Sequence, residues 1–356
     1  MASLDRLIKE IAIPPLPLET LDLSKSSIST RYIQRILSNH RRNLTSLNLA
    51  HNAFEHDVIF DISLADKLTE LDLSDNIISS TELNALCFLT KLKTLKLNNL
   101  TYIQPGSSLA ITFANITRHL NDLTRLEIRN NVLPIEFSIN FIRALSSKNT
   151  LTALDLSEAG IDPEEIFELS DITSLEHLNL SHNQMSSDII ELLGESFSEN
   201  PNFKSLIMAN TLEQCEPLIP LTKIKTLTEL DLSHNSLIDP QLQDLLPIKS
   251  KTNLPNIIKL KLHHNYLTND SALFISSWLL SNKTLQELDL SANLLTYQSA
   301  EAIAKALESN TTLKSLELST NGLSKIGISI ISKALSKKSA LTKLNVSNNQ
   351  IEHIGL

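Results

Sequence analysis

The segment LTELDLS is written twice in this chain, at residues 68–74 and again at 227–233. A catalytic site is normally encoded once, whereas a repeated segment marks a structural unit that is used again. With Ile, Phe, Met or Val allowed in place of Leu, the wider pattern LxxLxLxxN fits thirteen times. The matches begin at Leu18, Leu44, Leu68, Leu92, Leu123, Leu151, Leu175, Phe203, Leu227, Ile257, Leu285, Leu313 and Leu341, at intervals of 24 to 31 residues. A unit of that length cannot bury its own apolar face. Neighbouring units must stack and share one core, which restricts the chain to a solenoid.

Within a unit the hydrophobic period changes. In LTELDLSHN (227–235) Leu230 and Leu232 alternate with Glu229, Asp231 and Ser233, as in a short strand with one buried face. Further on, Ala300, Ile303 and Leu307 in one unit recur as Ile328, Ile331 and Leu335 in the next, the i, i+3, i+7 spacing of a helix face. Ile190, Leu193 and Phe197 repeat it, as do Ala272, Ile275 and Leu279. Each unit is therefore strand, turn, helix and return, and the 24-residue units should carry shorter or irregular outer segments. The closing Asn is expected to face inward, where its amide can donate to and accept from turn backbone that lacks a ladder partner. It is present as Asn52, Asn76, Asn131, Asn183, Asn235, Asn265, Asn293, Asn321 and Asn349. Ser26, Leu100, Ala159 and Thr211 replace it elsewhere, and those turns should be less well tied.

Over nearly the whole chain this pattern resembles the leucine-rich repeat family, and the 28-residue units resemble its ribonuclease-inhibitor-like subtype. The resemblance implies an α/β solenoid of about 13 repeats, a horseshoe with a parallel sheet on the concave face and helices or irregular segments on the convex face. Residues 1–17, with SLDRLIKEIA followed by PPLP, are expected to form an N-terminal capping segment, and 18–356 the repeat domain. Most proteins of this family bind other proteins. The expected function is therefore binding of a partner protein through the concave face and rim loops, by a monomer and without catalysis. The composition, with 4% aromatic residues and only six Gly, together with the irregular unit lengths, is similar to that of stand-alone leucine-rich-repeat effectors that intracellular bacterial pathogens deliver into host cells. An alternative is a GTPase-activating protein, because the Ran activator resembles this subtype in repeat length. That alternative rests on fold analogy alone.

The bulk chemistry narrows the options. A net charge of −9 disfavours nucleic acid, which needs clustered Lys and Arg. Cys87 and Cys215, the two cysteines, offer neither a disulfide framework nor a CxxC metal signature. Asp5, Arg6, Lys9 and Glu10 interrupt the apolar run that a cleaved signal needs, and no stretch approaches the roughly 20 apolar residues of a membrane span. The expected location is a reducing cytosol, whether the cell's own or that of a host reached without a cleaved hydrophobic signal. No cofactor is expected.

Several residues invite sharper interpretation. DLSH (231–234) holds the letters of a hydrolase triad, but LDLS also occurs at 21–24, 71–74, 154–157 and 288–291, and a flat strand does not make nucleophile, base and orienter converge. Asp231 and Ser233 are expected on the open strand face. His182, His234 and His264 share one column, with His263 beside it. No carboxylate or thiolate completes a ligand set, so no metal site is expected. Asp22, Asp72, Glu127, Asp155, Asp231, Asp289 and Glu317 form an acidic column that neighbouring Lys and Arg offset. A surface of identical LDLS strands cannot specify a partner, so departures from the consensus are the binding candidates. They are Lys96, Asn98, Arg125, Glu127 and Arg129, and a second group of Ile207, Lys259, Lys261, His263 and His264. The first group borders an enlarged loop with QPG at 104–106. The second flanks a 30-residue unit with Pro240, Pro247 and Pro255.

Overall fold

A computed structural model describes residues 18–52, 58–101, 108–131, 135–161, 163–212, 216–246, 254–336 and 340–351. The expected capping segment at 1–17, the QPG loop, Cys215 and Pro247 lie outside these residues. The chain divides into two compact units, Met1–Leu175 and Glu176–Leu356.

Every repeat contributes one three-residue strand. The first unit holds β1 (Thr20–Asp22), β2 (Ser46–Asn48), β3 (Glu70–Asp72), β4 (Thr94–Lys96), β5 (Arg125–Glu127) and β6 (Ala153–Asp155). The second holds β7 (His177–Asn179), β8 (Ser205–Ile207), β9 (Glu229–Asp231), β10 (Lys259–Lys261), β11 (Glu287–Asp289), β12 (Ser315–Glu317) and β13 (Lys343–Asn345). Within each unit consecutive strands pair in parallel with their central leucines in register, as in Leu71↔Leu95 and Leu230↔Leu260. Parallel neighbours need a crossover, and the outer half of each repeat supplies it. The leucines of the pattern are the core: Leu227, Leu230 and Leu232 are all buried. Each such side chain contributes about 1.5–3 kcal/mol on burial.

Outer segments follow unit length. Units of 28 residues carry helices such as Ile135–Ser146, Ser187–Ser198, Asn269–Ser281 and Ser324–Leu335. The 24-residue units carry Val58–Ile62, Ser80–Asn84 continued by a 3₁₀ turn, Pro163–Ser170, and the 3₁₀ turn Ile219–Lys223. The last of these lies against Gly194, where a Cβ would collide with the Pro220 backbone. The helix-face residues Ile190, Leu193, Phe197, Ala272, Ile275, Leu279, Ala300, Ile303 and Leu307 are buried as expected. Ile328 and Leu335 are only half-buried. In their helix Gly327 and Ala334 are buried with Ile331, so the inward face is rotated by one residue. Gly327 sits where a Cβ would come within 3.1 Å of the Tyr297 backbone.

All nine closing asparagines are buried. Asn76 is representative. Its Nδ2 donates to the carbonyls of Leu49, Leu73 and Ser74, and its Oδ1 accepts from the N–H of Asn52 in the preceding repeat. The amide thus ties its own turn and the turn before it. Turns without Asn are less well tied, as expected, since the Leu49 carbonyl is bound by both Asn52 and Asn76 and, among the described residues, the Leu97 carbonyl by Asn131 alone, but this backward reach keeps them closed. The Leu100 N–H is taken by Asn131 Oδ1 at 3.1 Å, and the Thr211 N–H by Asn235 Oδ1 at 2.7 Å. Ser26 and Thr211 also donate their hydroxyls to the carbonyls of Ser24 and Ala209, partial substitutes for the amide.

The residue before each closing position has a positive φ in all thirteen repeats, from 50° at Asn99 to 59° at His51 and His182. This left-handed conformation costs an ordinary L-residue about 1–2 kcal/mol and is best tolerated, after Gly, by Asn, Asp and His. The column runs Lys25, His51, Asp75, Asn99, Asn130, Glu158, His182, Asn210, His234, His264, Ala292, Thr320 and Asn348. The backbone N–H of this residue still pairs with the following repeat, as His234 N–H does with the His263 carbonyl at 2.9 Å. The recurrent SHN therefore has a conformational cause.

Two substitutions at adjacent residues should have opposite signs. Asn293→Ala removes the partner of the Leu267 N–H and of the Leu262 and Leu290 carbonyls. It should lower stability by at least the roughly 1–3 kcal/mol of one buried unpaired group. Ala292→Gly relieves the left-handed strain at φ 52° and should raise stability by up to about 1 kcal/mol. Urea unfolding measures both. Equal destabilisation by the two would contradict this assignment of the turn.

Candidate functional site

The open strand face is shaped by a turn device that the consensus encodes. Asp22, Asp72, Asp155, Asp231 and Asp289 each accept a hydrogen bond, through Oδ1, from the backbone N–H of the Ser two residues later, at 2.8–3.1 Å. Asn179 and Asn345 do the same for Ser181 and Ser347. Such side-chain-to-backbone bonds satisfy the N–H groups of the turn that follows the strand, so the recurring DLS is a turn device. The acidic column is committed to structure and is not a free trough.

Asp231 and Ser233 depart from the exposed placement expected of them, since both are buried. The next strand covers them. Lys261 Nζ reaches Asp231 Oδ2 at 2.8 Å, and His263 Nδ1 meets Ser233 Oγ at 2.8 Å. The histidine that touches Ser233 is thus His263 of the following repeat, not the adjacent His234. Ser233 Oγ donates to Asp231 Oδ1 at 2.5 Å, so its hydrogen points to the carboxylate. A nucleophile would give that hydrogen to its base. Burial pushes the Asp231 carboxyl up, but the bonds from Lys261 and Ser233 outweigh it and hold the group below the ordinary carboxylate value.

In the first unit Lys96, Asn98, Arg125, Glu127 and Arg129 are brought together around one carboxylate. Lys96 on β4 is in register with Glu127 on β5. Glu127 is buried. Its Oε1 accepts from Arg125 Nε at 2.7 Å and lies 3.5 Å from Lys96 Nζ, while Oε2 accepts from Asn98 Nδ2 at 3.2 Å. Asn98 Oδ1 in turn accepts from the Arg129 N–H at 2.8 Å. Burial alone would raise the Glu127 carboxyl, yet Arg125, Asn98 and Lys96 together bring it below its ordinary value. Both arginines remain more than half exposed, at 53% and 56% of the side chain. Among the described residues the Arg125 side chain engages Glu127 through Nε, and that of Arg129 approaches Glu158 only at 4.0 Å. Among the described residues the Nη groups of neither arginine make a hydrogen bond. A shallow depression of about 410 Å³ is lined by Lys96, Asn98, Glu127 and Arg129 with Asp72 and Asp75.

The second group is organised differently. Lys259 on β10 sits between Glu229 of β9, at 3.2 Å, and Glu287 of β11, at 3.9 Å. Lys261 pairs with Asp231, and His263 Nδ1 lies 3.4 Å from Asp289 Oδ2. A basic strand is thus seated between two acidic consensus strands, so the departure is answered inside the molecule. Ile207 on β8 is half-buried and aligned with Asp231, the register partner of Lys261. His264 lines an open groove of about 560 Å³ with His182, Asn210, His234 and Tyr266. Tyr266, 56% exposed, is a surface aromatic that the strand pattern does not flag, because it follows the closing Asn on the rim.

Family models described as Leucine Rich repeat match residues 40–55, 172–194, 223–241, 281–304 and 309–332, and another described as Leucine Rich Repeat matches 67–89. Among curated proteins, the chain is 28% identical over 242 residues to NACHT, LRR and PYD domains-containing protein 3 of both Macaca mulatta and Homo sapiens. Those alignments cover 62% of this chain and only 23% of each relative. Among solved structures, an internalin from Listeria monocytogenes superposes with TM-score 0.53 at 21% identity, covering 98% of this chain and 93% of that one. A leucine-rich-repeat protein of Leptospira interrogans superposes with TM-score 0.50 at 18% identity, over 98% and 87%. At these identities the structural likeness speaks to fold alone.

The lowered Asp231 carboxyl makes a signed prediction. Its stabilising contribution is complete above the ordinary carboxylate value, near pH 4, and is lost as pH falls through the lower folded value. Asp231→Asn should therefore be less stable than the parent at pH 7, and the gap should narrow steadily below about pH 4. Urea midpoints across that range test this, and a constant gap would show that Asp231 is not held ionised by Lys261.

Proposed function

We propose that this leucine-rich-repeat chain binds a partner protein through its open strand face, with Lys96, Arg125 and Arg129 as the principal contacts. Leucine-rich-repeat proteins generally mediate protein–protein interaction. What carries the choice of residues is the unequal state of the two groups that break the consensus. Lys259 is matched by Glu229 and Glu287 on the two neighbouring strands and Lys261 by Asp231, whereas Arg125 and Arg129 are more than half exposed, Arg125 held through Nε by Glu127 and Arg129 only within 4.0 Å of Glu158. A side chain held at its base with its fork free loses little freedom on binding. Arg suits interface centres through planar, bidentate pairing and stacking. The partner surface this fits is acidic, with carboxylates placed to pair with the outward guanidinium donors. Lys259, Lys261, His263, His264 and Ile207 form the second-ranked surface.

The proposal extends to a secreted bacterial effector acting on host proteins in a cytosolic setting. Its support is compositional: few aromatic residues, few glycines and irregular repeats of the ribonuclease-inhibitor-like kind. The GTPase-activating alternative is separated by one assay, stimulated GTP hydrolysis across a panel of small GTPases.

Affinity capture from cytosol with mass spectrometry supplies a partner. Arg125→Ala/Arg129→Ala should then weaken binding by at least ~2 kcal/mol, the scale of interface hot spots. The control Glu70→Ala/His177→Ala, at exposed first positions of β3 and β7, should leave affinity within about 0.5 kcal/mol. Loss of the partner in the control but not in the arginine variant, with both equally folded by circular dichroism, would place the interface elsewhere.

A further inference from the structure

Three imidazoles meet on the rim of the second unit. His234 and His264 occupy the left-handed position of adjacent repeats, with rings stacked 4.2 Å apart at 16°. His263 occupies the position where LDLS repeats write Ser, and its ring lies 5.1 Å from that of His234 and 5.5 Å from that of His264. One nitrogen from each ring lies within 4.8 Å of the other two. Nitrogens that share a tetrahedral zinc at about 2.0–2.1 Å are about 3.4 Å apart, so side-chain rotations of roughly an ångström close the set.

The hydrogen bonds beneath the cluster fix the tautomer of His263. The single hydrogen of Ser233 Oγ goes to Asp231 Oδ1, so towards His263 the same oxygen must accept. The donor is then Nδ1–H, and Asp289 Oδ2, 3.4 Å from that nitrogen, favours the same proton. The lone pair of His263 is therefore on Nε2. A carboxylate and a buried hydroxyl that hold one ring nitrogen so that the other is free to ligate are the usual support of metal-binding histidines. Two of the three histidines are explained by backbone conformation. The third breaks the repeat and comes with its supporting partners, which conformation does not explain.

We propose that His234, His263 and His264 bind a divalent transition-metal ion of the zinc or copper kind, leaving a coordination position open to solvent. Three imidazoles without a thiolate suit these borderline ions better than magnesium or calcium, which take oxygen ligands. The strand spacing treats His263 as a neighbour of the His column, and only the folded chain makes it the third member of the set. This site goes beyond the protein-binding proposal and stands without it.

The test uses the full chain stripped of metal with chelator, titrated with Zn²⁺ by calorimetry and with Co²⁺ followed by its visible absorption. One ion per chain should bind, with a d–d spectrum of low-coordinate cobalt. His263→Ser restores the residue of the consensus repeats, and His234→Asn and His264→Asn keep a residue that tolerates positive φ, so all three variants should fold. Each should lose at least the roughly 10–100-fold in affinity that loss of a supporting partner already costs. His182→Asn, in the same column but outside the trio, should bind like the parent. Binding unchanged in His263→Ser, or lowered equally in His182→Asn, would overturn the proposal.

Discussion

A buried asparagine amide closes nine of the thirteen strands, and the rest of the repeat hangs on it. Its Nδ2 holds carbonyls of two successive turns, and its Oδ1 holds an N–H of the turn before. A chain leaving a strand exposes backbone groups that have lost their ladder partners, and leaving them unpaired in a stacked core would cost about 1–3 kcal/mol apiece. The amide supplies donor and acceptor in one rigid plane. Because it acts on the preceding turn as well, a repeat can lack its own Asn, as at Leu100 and Thr211, and still be closed by its neighbour.

The same turn imposes a left-handed residue just before the amide, and this sets what the rim can display. Positions that tolerate positive φ favour His, Asn and Asp, which are also residues with hydrogen-bonding or ligating side chains. The scaffold thus lines one edge of its strand face with polar chemistry for conformational reasons. Stacking of His234 on His264 follows from adjacent repeats placing like residues in register. Specific chemistry arises when a further residue, such as His263, breaks its own column beside that edge.

Across strands, ion pairs decide which charges are available. The strands are about 4.8 Å apart, so a Lys on one faces carboxylates on both neighbours. Lys259 of β10 is satisfied in this way from either side, and Lys261 covers Asp231, which is buried. Around Glu127 the arithmetic differs, because one carboxylate serves Lys96, Arg125 and Asn98 while the guanidinium forks stay outside. Exposed ion pairs contribute little to stability, so such residues are free to change and to serve recognition.

The sequence by itself determined the thirteen strands, their leucine core, the buried asparagines and the link between unit length and outer helix length. Those features are local and periodic, so each is visible within one repeat. It did not determine that Asp231 and Ser233 are buried, that Glu127 gathers Lys96 and Arg125, or that His263 joins His234 and His264. Each depends on what the adjacent strand places alongside, 24 to 31 residues away, and on side-chain reach that no periodicity encodes. The left-handed column was visible only as a recurring SHN. Its cause, a backbone torsion shared by residues as unlike as Lys25, Ala292 and Thr320, exists only in the folded turn.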